Sequence, residues 1–403
     1  MSIQGFKAKS EFTNTTMANQ QKPNLFIHTG THKTGTTAIQ RFLKANKQIF
    51  ASKGFGIAGL TASERASIRH FAEAFSSHQD TNKIDSNFDP IAESIARCRK
   101  KHKQKLHSFV ISWEGFSGEP LNGYRDNKNY AKFIGQYKNK FNITIITFFR
   151  RQDDFIESAY TQAVKQGYTQ TFDYYLKNVD ISGFNWLSIT KNHESELGHE
   201  KTIVSRFGKE YLQEKTSILK KFVGYLGLTP DEFDFNASNK SFIISNPGWP
   251  RNVVEVTREL NPRIPQHQRR KYIQAIEAFM HKDPQKSYSY LTDFQRQKLM
   301  LKFYDSNLRL ANERFANEKQ ELFSGESRLT TELIKPTDRD NEYHLDREAL
   351  LSMILEFTLN LDENNNISKQ KIIEQSKSRS IASVLKTLKE PLARIRNFLR
   401  NFP

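Results

Sequence analysis

Residues 24–43 read NLFIHTGTHKTGTTAIQRFL. The apolar run Asn24–His28 is bounded by turn residues and predicts a short buried strand. A Gly/Thr-rich loop follows over Thr29–Thr37, and Ala38, Ile39, Phe42 and Leu43 then recur at helical spacing. Strand, glycine loop and helix together form the βα unit that cradles phosphates. Gly30 and Gly35 have the spacing of the P-loop, GxxxxGK[ST], but Thr36 stands where that motif has lysine, and the lysine lies inside the loop at Lys33. The chemistry is the same. Glycines let amides approach an anion, a helix N-terminus favours negative charge, the hydroxyls of Thr36 and Thr37 add donors, and Lys33 brings a full positive charge.

The strand–helix alternation continues along the chain. Residues 107–112 (HSFVIS), 142–149 (NITIITFF) and 201–207 (KTIVSRF) are β-branched or aromatic runs that predict three more strands. Helical structure is expected over the charged stretch 61–105, over Asp153–Gln166 with Asp153 or Asp154 as its cap, and over 214–226, closed by Gly227. Beyond Asn246-Pro247-Gly248 the pattern is helical, with candidates at 251–260, 265–281 and 292–316. The fold class expected is α/β, a central, mostly parallel sheet flanked by helices with a helical C-terminal extension. Four segments follow: a polar N-terminal stretch over 1–22, a main domain over 23–325, a helical extension over 326–361, and a linker with a basic amphipathic tail over 362–403.

A second anion site is written after the strand at 142–149. In Phe149-Arg150-Arg151-Gln152-Asp153-Asp154-Phe155-Ile156-Glu157-Ser158, Arg150 falls at the strand's C-terminal end, where ligands collect in open α/β sheets. Ser158 lies two helical turns further on. A guanidinium fork suits phosphate, although the same arginines can pair with Asp153 and Asp154.

Both stretches resemble the PAPS-dependent sulfotransferases (PAPS, 3′-phosphoadenosine 5′-phosphosulfate), bacterial members especially, whose fold is P-loop-NTPase-like. Residues 26–43 are similar to the family's 5′-phosphosulfate loop. Residues 149–160 are similar to its 3′-phosphate motif, an arginine at a strand end with a serine eight residues later. Weaker similarity runs through KTIVSRFGKEYL (201–212), YLGL (225–228) and NPGWPRNVVEVTRELN (246–261), so the resemblance spans about residues 24–320. It implies that Lys33 stabilises the leaving phosphate. It also implies that Thr34, Gly35, Thr36 and Thr37 bind the 5′ side and that Arg150 and Ser158 bind the 3′-phosphate. Phe207 falls where the family places an aromatic beside adenine, and Arg251 near a later phosphate contact, although the Arg-Lys-Gly motif of the cytosolic enzymes is missing. The donor implied is PAPS, with adenosine 3′,5′-bisphosphate as product and no metal.

Transfer to a hydroxyl also needs a base. Glu114, in VISWEGFS (110–117), follows the second predicted strand and should face the same end of the sheet. Many bacterial relatives have a similar Ser-x-Glu-x-Phe-Ser stretch, whereas cytosolic ones often end that strand in histidine. His32, in the loop, and His28, at the end of the first strand, are the rivals.

Composition narrows the partners. Of 403 residues, 61 are Lys or Arg and 44 Asp or Glu, a net charge of +17 that favours anionic partners. A glycan or glycolipid hydroxyl is the acceptor expected. No nucleic acid is expected, because helix-turn-helix, zinc-finger and RNA-binding aromatic signatures are missing. Cys98 is the one cysteine, which excludes an intrachain disulfide. With no apolar run of spanning length, the location expected is cytoplasmic, with peripheral contact at the inner membrane face through the basic stretch 380–402. The competing readings are a P-loop-type kinase and a non-catalytic basic protein that binds nucleotides or nucleic acid. The first is disfavoured by Thr36 in the lysine position and the lack of a clear strand-borne Mg²⁺ aspartate.

Overall fold

A computed structural model describes residues 22–77, 89–102, 105–208, 217–235, 249–282, 289–315, 321–323 and 326. The expected extension and tail beyond 326, including the stretch 380–402, lie outside the described residues, as does the N-terminal stretch up to residue 21.

Five strands form one sheet: β1 (Asn24–His28), β2 (Phe55–Ile57), β3 (Ser108–Ser112), β4 (Asn142–Arg150) and β5 (Thr202–Phe207). Their order is β2-β3-β1-β4-β5, and every pairing is parallel. The expectation of a mostly parallel sheet flanked by helices holds, with one strand more than the sequence reading contained. The helices are α1 (Thr36–Ala45), α2 (Lys47–Ser52), α3 (Ala62–Ser77), α4 (Pro90–Lys101), α5 (Asn127–Gly135), α6 (Gln152–Lys165), α7 (Phe172–Asn178) and α8 (Trp186–Leu197). They continue as α9 (Ser217–Tyr225), α10 (Arg251–Leu260), α11 (Arg269–Lys282), α12 (Asp293–Leu301) and α13 (Tyr304–Arg314). Among the described residues no helix is long and apolar enough to cross a membrane.

Side chains alternate across the sheet as a strand's period of two demands. Leu25, Ile27, Phe109, Ile111, Ile143 and Ile145 enter one core with Ile91 and Ile95 of α4 and Phe133 and Ile134 of α5. Val110, Ile146 and Phe148 point the other way, to Ile39, Phe42 and Leu43 of α1 and Ile218, Leu219 and Phe222 of α9. A third core joins Phe149 to α6, α8, α10 and α11 through Phe155, Trp186, Val253, Val254 and Tyr272. Both faces of the sheet are covered, which is why its central strands read as unbroken apolar runs.

Three local expectations are corrected. The cap of α6 is Arg151, not Asp153 or Asp154, and it makes no side-chain cap bond. Arg151 is still extended, and the helix begins at Gln152, so the two aspartates fall inside the first turn, where the helix dipole favours them. The stretch 61–105 is not continuously helical in its described parts. A second helix opens at Pro90, with Asp89 accepting from the amide of Ala92 and Pro at the first helical position. The helix expected over 292–316 is broken at 302–303 into α12 and α13.

The strand order fixes where a ligand should sit. After β1 the chain crosses to the edge strand β2 and comes back to β3 beside β1, then places β4 and β5 on the other side. Such a reversal leaves a crevice at the carboxyl ends of the strands on either side of it, here β1 and β4.

Candidate active site

The loop 29–35 leaves β1 at that crevice and is tied across it. The amide of Thr29 donates to the carbonyl of Ile146 (3.0 Å) and that of Thr31 to the carbonyl of Phe148 (3.2 Å). The hydroxyls of Thr29 and Thr147 lie 2.7 Å apart. Thr34 donates its hydroxyl to the carbonyl of Thr31, so its side chain orders the loop and its amide is what remains for a ligand. Three residues take positive φ: Gly30 (29°), Lys33 (66°) and Gly35 (82°). A Cβ on Gly30 would stand 2.7 Å from Nε2 of His28, and one on Gly35 would stand 3.0 Å from Ile218, so neither position admits a side chain without displacement. A left-handed lysine is uncommon and marks a position the surroundings dictate.

This conformation opens a row of amides. Among the described residues, no carbonyl accepts the backbone N–H groups of Lys33, Thr34, Gly35, Thr36 or Thr37. They stand at the N-terminus of the ten-residue helix α1. The hydroxyl of Thr36 is buried without a hydrogen bond, while Thr37 is exposed. Buried donors of this kind are costly unless a ligand or water completes them.

Cations converge on the same place. Arg150 ends β4, and its register partner on β5 is Phe207, whose ring also borders Gly35. Among the described residues the Arg150 guanidinium forms no hydrogen bond or ion pair. Its backbone is fixed instead, because the indole of Trp186 donates to the carbonyl of Arg150 (2.8 Å) while stacking on Phe149 at 5.0 Å. Burial pushes the Lys33 ammonium down to about 8, and the nearby charges of Lys165 and Arg150 add to that shift. Burial also lowers Arg150, against the pull of Asp154, Asp153 and Glu157. Half-buried cations held close together with open amides form a site that an anion would complete.

Trp186 offers a test of this scaffold. Replacing it with Phe keeps the stack and removes the donor to Arg150. We expect about 1 kcal/mol lost in a denaturant titration, and an unchanged midpoint would show that the bond adds nothing.

Ser158 lies on α6 two turns from its start, half-buried, with its hydroxyl unbonded among the described residues. Arg251 opens α10 and stacks over the ring of Tyr290 at 4.9 Å. Glu157, beside Ser158, accepts from the amide of Tyr290 (2.6 Å), which places Arg251 along the flank of α6 rather than on the loop.

The three base candidates differ sharply. His28 is fully buried, with Nδ1 2.8 Å from the hydroxyl of Ser112 and its ring edge-on to Phe148 and Phe222. Burial lowers it to about 3, so it is a neutral core group. His32 is lowered to about 4 by burial, then by Lys33. The hydroxyl of Tyr124 accepts the His32 amide (3.2 Å) and lies 3.1 Å from its Nδ1. Tyr124 is buried and, among the described residues, its hydroxyl bonds no other group, which favours donation of its single proton to Nδ1. That leaves His32 protonated at Nε2, as a donor rather than a base. Glu114 sits in a short 3₁₀ turn at the end of β3, held to the rim by the amide of Trp113, which donates to the carbonyl of His28 (3.1 Å). Gln40 of α1 donates to its Oε2 (3.2 Å) and to the carbonyl of Ser112 (3.1 Å). Its Oε1 accepts no bond among the described residues.

Sequence reasoning missed Lys165 and Tyr124. Lys165 is on the Ser158 face of α6, seven residues on, so helical spacing contained the signal. Its ammonium pairs with Glu277 (3.0 Å) and lies 4.3 Å from the ring of Trp249. It borders a cleft of about 520 Å³ between α6 and α11, lined by Gln162, Gln166, Gln266, Arg269, Arg270, Ile273, Gln274 and Glu277. Nothing in the sequence pairs Tyr124 with His32 across 92 residues.

No known protein family matches the chain, and no curated protein matches it. Among solved structures, a sulfotransferase from Alicyclobacillus acidocaldarius is similar over 59% of this chain and 94% of its own, at 15% identity and a TM-score of 0.36. Similarity at that level does not bear on activity.

Proposed function

We propose that this protein transfers a sulfuryl group from PAPS to an acceptor hydroxyl. The observation that carries the reading is the row of open amides from Lys33 to Thr37 at the crevice between β1 and β4, with Lys33 and Arg150 beside it. A donor with a charged group at each end of its ribose fits two separated anion sites. The amides, Thr36 and Lys33 take the 5′-phosphosulfate, Arg150 and Ser158 take the 3′-phosphate, and Phe207 borders the adenine.

The acceptor oxygen attacks sulfur in line. The S–O bond to the 5′-phosphate breaks, and the bisphosphate leaves with the bonding pair. Lys33 and the amides stabilise the charge that gathers on that phosphate oxygen, a contribution larger in a partly dry site than in water. Glu114 takes the acceptor's proton through Oε1, and His32 donates from Nε2 to an oxygen of the transferring group. The cleft beyond Lys165, lined with four glutamines beside Arg269, Arg270 and Glu277, suits a polyhydroxylated acceptor such as a glycan or glycolipid head group.

The test is transfer of label from [³⁵S]PAPS to a panel of glycan, glycolipid and simple alcohol acceptors, beside [γ-³²P]ATP with Mg²⁺. Sulfur transfer without phosphoryl transfer is the expected result, and the reverse would install a kinase instead. Glu114→Gln should lower turnover about 10²-fold and leave adenosine 3′,5′-bisphosphate affinity unchanged. Unaltered turnover in that variant would remove Glu114 as base.

A further inference from the structure

The first turns of α6 carry Asp153, Asp154 and Glu157 close to the arginine assigned above to the 3′-phosphate. This is an awkward place for three carboxylates. Each one is a competing partner for the Arg150 guanidinium and a repelling charge for an incoming phosphate. In the structure none of them reaches Arg150, because another arginine holds all three.

Arg296 comes from α12, 139 residues further along the chain than Glu157. One terminal nitrogen, Nη1, donates to Asp153 Oδ2 (3.1 Å) and Asp154 Oδ1 (3.4 Å). The other, Nη2, donates to Glu157 Oε2 and to the hydroxyl of Ser289 (2.6 Å). Asp153 is nearly fully buried, and its other oxygen pairs with Arg151 (3.1 Å). Glu157 uses Oε1 to accept from Ser289 (2.7 Å), Tyr290 N–H (2.6 Å) and Leu291 N–H (2.8 Å). Tyr290 in turn carries Arg251 on its ring. One guanidinium therefore gathers the acidic turn, and the loop it shares with Glu157 seats a second arginine.

We infer that Arg296 is a positioning residue. By occupying Asp153, Asp154 and Glu157 it keeps the Arg150 fork available to the 3′-phosphate, and so sets the preference for a 3′-phosphorylated nucleotide. The inference rests on the donor reading above. Its consequence is specific: without Arg296, Arg150 turns to the carboxylates, and the 3′-phosphate loses its partner and meets a more negative surrounding. Contacts to the 5′ side, made by the loop after β1, are unaffected.

The experiment is calorimetry of adenosine 3′,5′-bisphosphate and AMP with the whole protein, as wild type, Arg296→Gln, Arg296→Lys, and the triple variant Asp153→Asn/Glu157→Gln/Arg296→Gln. The readout is the ratio of the two affinities, which a general loss of structure would not change selectively. Arg296→Gln should lower the ratio about tenfold with AMP binding unchanged. Arg296→Lys should keep part of it, since charge is retained and the fork is lost. The triple variant should recover part of it, because two of the three competing carboxylates are gone. An unchanged ratio in Arg296→Gln, or equal weakening of both nucleotides, overturns the inference while leaving the donor reading in place. A wild type that does not distinguish bisphosphate from AMP overturns both. If Arg296→Gln does not fold, Arg296→Lys alone carries the test: a ratio equal to wild type then contradicts a role for the fork, and a reduced one supports it.

Discussion

Replacing Lys33 with Ala should lower sulfuryl transfer about 10³-fold, the scale of losing one preorganised charge at a developing anion. Binding of the bisphosphate product should fall less, because the amides from Thr34 to Thr37 and the Arg150 side of the site remain. The imbalance is the point. A group that acts on the leaving phosphate contributes most when charge moves onto it, and so appears in turnover more than in ground-state binding. Lys33 also has a pH signature. Its ammonium, lowered to about 8 by burial and then by Lys165 and Arg150, should lose its proton on passing through that value in the unliganded protein. Affinity for the bisphosphate should therefore decline as pH rises from 7 to 9, and the decline should flatten in Lys33→Ala. The same shift bears on stability. Between about 8 and the ordinary lysine value of 10.5 the unfolded chain binds more protons at this position than the folded one, so its contribution to stability improves with rising pH in that window. Below about 8 both states are protonated and the cost of burying the charge is constant. A turnover loss matched by an equal affinity loss would show that Lys33 binds but does not act in transfer.

Arg150→Ala should remove the preference for a 3′-phosphate by about 10²-fold, the weight of a charge-assisted fork in a half-buried setting. AMP, which lacks that phosphate, should bind wild type and variant alike. The prediction is large because nothing else in the described structure holds the Arg150 guanidinium. It is ready for a ligand, and no internal pair has to be broken first. Arg150→Lys should recover only part of the preference, since an ammonium supplies a point charge without the fork. If Arg150→Ala weakens AMP as much as the bisphosphate, Arg150 supports the loop and does not read the 3′ position.

Those two residues were visible in the sequence because the features that define them are local. A five-residue apolar run, a glycine at each end of a loop and a helix with apolar spacing place Lys33 without tertiary information. Arg150 follows from the end of a nine-residue β-branched strand, and Ser158 from counting turns. What escaped was set by the rest of the fold. Strand β2 is three residues interrupted by Gly56, too short and too mixed to signal itself, and it exists through pairing with β3. Helices α5, α7 and α8 are missing from the sequence reading although Tyr130, Phe133, Ile134 and Tyr137 recur at helical spacing, and α8 supplies Trp186, which fixes the carbonyl of Arg150. The cap of α6 was misplaced because aspartates in a first turn and aspartates at a cap look alike in sequence. Arg296 lies 142 and 143 residues from Asp154 and Asp153, and only packing of α12 on α6 brings them together. His32 and Glu114 were named together as catalytic candidates. Tyr124 separates them by giving His32 a donor's tautomer, and Gln40 leaves Glu114 one oxygen for a proton.

The central claim is that the crevice between β1 and β4 takes a nucleotide phosphorylated at both ends of its ribose. Calorimetry of the wild-type protein with adenosine 3′,5′-bisphosphate, AMP and ATP with Mg²⁺ tests it most directly. The account predicts that the bisphosphate binds at least about 10²-fold tighter than either comparator. ATP binding as tight as the bisphosphate, or tighter, would contradict it.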